Sequence, residues 1–70
     1  MKRAALVSKF SQVVGVTKAE SIVTEAEAVL GFENRDHYTA TETRDLCEEI
    51  ALAYDGYIGD IATELQVHTQ

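Results

Sequence analysis

Apolar residues recur at steps of three and four along most of this 70-residue chain, with polar residues between them. Ala19, Ile22, Val23, Ala26, Val29 and Leu30 form one stripe of a helix, and Lys18, Ser21, Thr24, Glu25 and Ala28 fall away from it. Thr17 stands where an N-cap is needed and Glu20 follows three residues on, the spacing of a capping box. Gly31 supplies a left-handed stop. The pattern therefore predicts a helix over 18–30, and its small alanines make it a central one that neighbours approach closely. Residues 3–14 read as an earlier helix with Leu6, Val7, Phe10, Val13 and Val14 on one face and Lys2, Arg3 and Lys9 on a basic outer side. Gly15-Val16 is a short break, so the two helices make a hairpin or angled pair.

Residues 31–39 show no period and read as a loop, with Phe32 and Tyr38 folding back as plugs on the core. Thr39 and Glu42 repeat the capping-box spacing and open a helix over 40–54. Its apolar face is Leu46, Cys47, Ile50, Ala51, Ala53 and Tyr54, and Arg44 and Glu48 are spaced to pair weakly on the wet side. Asp55-Gly56 is a stop signal. Ile58, Ile61, Ala62 and Leu65 then mark a short helix over 57–66, after which Val67 to Gln70 should fray. No proline interrupts the chain and no segment alternates like a strand. The expected fold is all-α: one domain over 1–70, a compact array of four short helices at about 3–14, 18–30, 40–54 and 57–66.

Composition narrows the class. A 46% hydrophobic content suits a folded chain rather than a disordered one. A single Cys rules out an internal disulfide, so a tight helical core, dimerisation or both must supply stability. The lone thiol fits a reducing, cytoplasmic setting. Ser8, Lys9, Ser11 and Gln12 interrupt the apolar start before a signal-peptide core can form. No apolar run approaches the ~20 residues that span a bilayer. The net charge of −6 repels phosphate backbones and makes nucleic acid an unfavoured partner.

Candidate chemistry is sparse. Cys47 lies on an apolar face beside Glu48 and Glu49, which oppose a thiolate, so it reads as a structural cysteine. Glu33, Asp36 and His37 share a loop without any metal-binding pattern, and His68 sits in the tail, so no metal site is expected. Asp45, Glu48 and Glu49 give the third helix an acidic side suited to docking a basic partner. Tyr38, Tyr54 and Tyr57 are the aromatic candidates for a contact surface, since tyrosine joins a large apolar body to a polar tip.

Residues 10–24, with Phe10-Ser11-Gln12-Val13-Val14-Gly15-Val16-Thr17, resemble a helix-turn-helix. Ser21 stands where that pattern places an apolar residue, and Glu20, Glu25 and Glu27 outweigh Lys18 on the second helix. Leu6-Val7, Lys9 and Gly15-Val16-Thr17-Lys18 are similar to the opening hairpin of the HU/IHF class of bacterial DNA-bending proteins. That resemblance implies a hairpin that dimerises. It covers under half of the chain, and nothing after Leu30 resembles the family's basic β-ribbon. Ala19-Glu20-Ser21-Ile22 is faintly similar to the attachment motif of acyl-carrier domains, but Ser21 comes too early in the chain.

The expected function is a small acidic helical module for protein–protein interaction or regulation, without catalytic activity or cofactor. Its expected partner is another protein with a basic surface, and a homodimer is expected. The candidate partner-binding residues are Tyr38, Asp45, Glu48, Glu49, Tyr54 and Tyr57. The alternative is a nucleic-acid-associated regulator acting through the hairpin of residues 3–30 in a dimer.

Overall fold

The computed structural model describes residues 1–32 and 35–68. Four helices follow one another: α1 (Arg3–Val14), α2 (Val16–Leu30), α3 (Ala40–Ala53) and α4 (Tyr57–His68). α1 packs on α2, α2 on α3, α3 on α4, and α4 returns to α1, closing a ring around one core. Among the described residues there is no strand.

The core follows the helical stripes. Leu6, Val7 and Phe10 come from α1, Ala19, Ile22, Val23 and Ala26 from α2, Leu46, Cys47 and Ile50 from α3, and Ile58, Ala62 and Leu65 from α4. Burying each large aliphatic or aromatic side chain contributes about 1.5–3 kcal/mol. Val14, Leu30, Phe32, Ala51, Tyr54 and Ile61 pack partly buried around them. Val13 and Val29, expected on the stripes, are instead 44% and 65% exposed, and Ala53 is exposed as well. Each sits at the edge of its apolar face, where no neighbouring helix covers it.

The start of α2 departs from expectation. The helix begins at Val16, so Thr17 lies within its first turn and forms no side-chain cap. Gly15 occupies the junction instead, at φ 83° and ψ 164°. That region is open essentially to glycine alone. Its N–H donates to Ser11 O at 3.0 Å and its carbonyl accepts from Ala19 N at 3.0 Å, so one residue ends α1 and starts α2. Gly31 ends α2 in the left-handed conformation, as its position implies. Beyond it, Phe32 N donates to Glu27 O at 2.8 Å.

The Thr39 capping box forms in full: Glu42 N donates to Thr39 Oγ1 at 3.1 Å, and Thr39 N to Glu42 Oε1 at 2.9 Å. Arg35 pairs with Glu42 and stacks its guanidinium over Phe32, 4.8 Å from the ring centre. Arg44 and Glu48 form no ion pair, whereas Arg35 pairs with Glu42 and Arg3 with Glu27. The α3–α4 corner is tight, since a Cβ on Gly59 would lie 2.7 Å from Tyr54 O. α4 runs two residues past the predicted end, to His68. Of the expected frayed end, Thr69 and Gln70 lie outside the described residues, as does Glu33 of the loop.

The segment before α1 pairs with the loop. Arg3 N donates to Asp36 O at 2.8 Å, Tyr38 N to Met1 O at 2.8 Å, and Met1 N to Tyr38 O at 2.7 Å. Lys2 and His37 face each other in this antiparallel bridge. Phe32 and Tyr38 do fold onto the core, and Tyr38 is almost wholly buried.

Candidate functional site

The burial of Tyr38 removes it from any contact surface of the single chain. Its hydroxyl donates to Glu27 Oε2 at 2.6 Å, and Arg3 Nε meets Glu27 Oε1 at 3.1 Å. Arg3 Nη2 also donates to Thr24 Oγ1 at 3.0 Å. Glu27 is only 4% exposed, yet both carboxylate oxygens are satisfied. One helical turn of spacing places it there: it follows Val23 by four residues and so shares the buried stripe. This cluster ties α1, α2 and the loop together. Burial first, and then the bond to Glu27, hold the Tyr38 hydroxyl far above its ordinary 10.0.

The remaining candidates divide. Glu49 and Tyr54 come together in a groove between α2 and α3, lined also by Ile22, Glu25, Ala26, Val29, Ile50 and Ala53, with a volume of about 110 Å³. Asp45 and Glu48 are exposed on α3 and continue the acidic surface, Asp45 lying one turn before Glu49. Leu52, 77% exposed, follows Glu48 by four residues and adds an apolar side chain to the same outer surface. Tyr57, also 77% exposed, opens α4 and does not line the groove.

Tyr54 caps α3 with extended backbone and donates its hydroxyl to Glu25 Oε2 at 3.0 Å, across from α3 to α2. That bond is the main reason the Tyr54 hydroxyl is held above its ordinary value. Glu25 and Glu49 line one groove, and neither forms an ion pair among the described residues. An apolar floor thus carries an acidic rim. Glu49 and Tyr54 are among the residues that the sequence marks as contact candidates, whereas Glu25 and Val29 are not. The signal for Val29 was its place at the stripe's edge, opposite a helix that ends at Ala53.

A second, larger and more open cleft of about 550 Å³ lies between α1, the start of α2 and the loop. It carries both signs of charge, with Lys2 and Arg3 beside Glu20 and Asp36, and His37 at its edge. Its arginine is turned to Glu27 and Thr24. Cys47 is fully buried, and burial pushes its thiol from 9.0 up to about 11, which keeps it protonated at neutral pH. Among the described residues, no three His, Cys, Asp or Glu converge to hold a metal ion, and no helix is long and apolar enough to cross a membrane. No family of known proteins, no curated protein and no solved structure matches the chain.

Proposed function

We propose that this protein is a non-catalytic interaction module that captures a basic surface of another protein on the outer side of α3. The observation that carries this reading is the continuity of Asp45, Glu48 and Glu49 with the groove acid Glu25, all without an ion-pair partner among the described residues. Carboxylates without an ion-pair partner attract a cationic partner over a distance of about one Debye length, ~8 Å at physiological salt, and steer its approach. The protonated, enclosed Cys47 supplies no nucleophile, which supports a module without catalysis.

The alternative, a nucleic-acid-associated regulator using residues 3–30, has less support. Arg3, the one arginine of that hairpin, is neutralised by Glu27, and Glu20 shares the cleft in which Lys2 stands. A phosphate backbone needs free cations.

The test is charge reversal at two exposed positions, Asp45→Lys with Glu48→Lys. In a carbodiimide cross-linking pull-down from the cell of origin, lysine-rich partners should join the wild-type chain and be lost from the variant. Both folds should melt alike. An unchanged partner set, or retention of duplex DNA by the wild type at low ionic strength, overturns the reading.

A further inference from the structure

The groove between α2 and α3 specifies its occupant more narrowly than charge does. Its floor is Ile22, Ala26 and Ile50, none more than 4% exposed, and its walls include Val29 and Ala53. A volume of about 110 Å³ admits a few waters, at about 30 Å³ each, or one aliphatic side chain. Water on such a floor gains few hydrogen bonds, so an apolar side chain displaces it favourably. Val29 at 65% and Leu52 at 77% exposure extend apolar surface beyond the groove itself.

Rim chemistry selects the surroundings of that side chain. Glu49, and Glu25 with its bond from the Tyr54 hydroxyl, bring negative charge that no cation among the described residues offsets, and Asp45 and Glu48 carry that charge along α3. A purely polar basic segment would leave the floor wet. An acidic segment or a nucleic acid has the wrong sign. A second copy of this chain brings its own net charge of −6 and is repelled as a whole. A helix satisfies both demands, because residues three and four apart share a face and can set an aliphatic anchor between basic neighbours. Resting on the reading above, the geometry points to a basic amphipathic helix of another protein as the occupant of this groove. Its central aliphatic side chain lies between Val29 and Ala53, and its Lys or Arg side chains reach Glu25 and Glu49.

The experiment titrates the isotopically labelled full chain with two synthetic peptides, followed by amide chemical shifts. One is an amphipathic helix of Leu and Lys; the other carries Ser for every Leu, with the same lysines. The Leu/Lys peptide should shift Glu25, Val29, Glu49 and Ala53, and the Ser peptide should bind at least about tenfold more weakly, the scale of one anchor residue. Ala53→Leu, which fills the groove from an exposed position, should weaken the Leu/Lys peptide by about tenfold. Glu49→Lys should do so independently. Equal binding of both peptides, indifferent to Ala53→Leu, overturns the anchored helix while leaving an acidic docking face intact. No binding by either peptide at low ionic strength overturns that face as well. Concentration-dependent shifts of the same amides in the protein alone would place a second copy in the groove and overturn the inference.

Discussion

Glu27 shows how a single side chain can matter more than its sequence context suggests. Counted along the chain, it is one of several acids on α2; in space it is a buried carboxylate held by Arg3 and Tyr38. Removing a partner from such a group leaves a desolvated charge unsatisfied, which costs about 1–3 kcal/mol or more. Tyr38→Phe keeps the ring and removes only the donor, so a loss of about 2 kcal/mol is expected in urea unfolding at unchanged m. The Tyr38 hydroxyl and the Cys47 thiol also make the fold sensitive to alkali. Both have folded values raised above their unfolded ones, so the folded state favours their protonated forms. Their stabilisation is complete below the unfolded values, 9.0 for the thiol and 10.0 for the phenol, and is lost as pH rises through the folded ones. Stability should hold from neutral pH to about 9 and then fall, with the thiol's part gone beyond about 11. Cys47→Val should flatten the first part of that decline and Tyr38→Phe the later part.

At the level of elements, two identical sequence signals have different fates. Thr17 and Thr39 each precede a glutamate by three residues, yet only Thr39 caps its helix. The difference lies in what comes before. A nine-residue loop delivers the chain to Thr39 in extended conformation, at φ −67° and ψ 168°, as an N-cap requires. Gly15 instead turns the chain within one residue, so the second helix has already begun when Thr17 is reached. Thr39→Ala should therefore cost about 1 kcal/mol and Thr17→Ala less than about 0.5. Gly15→Ala should cost about 1–3 kcal/mol although no atom lies within 4 Å of the added methyl, because its backbone conformation is the obstacle. Denaturation midpoints of the three variants decide the order. Helix periodicity and the stops at Gly31 and Asp55-Gly56 were legible because they depend on neighbours in the chain. The bridge between Lys2 and His37, the seat of Glu27 and the groove at Glu25 were not, because each depends on residues far apart in sequence. Glu49 and Tyr54 could be chosen from helical spacing, whereas the burial of Tyr38 and the separation of Tyr57 from the groove required the fold.

For the whole molecule, the question raised by so short a chain is whether one copy encloses its own core. The ring closed by α4 against α1 brings all four stripes inward, and Leu6, Phe10, Ala19, Val23, Leu46, Cys47 and Ala62 have no exposed surface at all. A folded monomer of 7.7 kDa is expected to expose about 4,300 Å², and this chain exposes 4249 Å². Its radius of gyration of 10.5 Å likewise sits near the ~11 Å expected for its length. The described core is thus enclosed within one copy. An obligate dimer loses stability on dilution by mass action, whereas a self-sufficient monomer does not. The thermal midpoint of this protein should stay constant across a wide range of concentration. Light scattering on the same samples separates the two cases. A midpoint that falls with dilution as dimers dissociate would show that Val29, Leu52 and the other exposed apolar side chains are covered in the stable form. A constant midpoint leaves those side chains open to a partner of different sequence, the arrangement that the proposed docking of a basic helix needs.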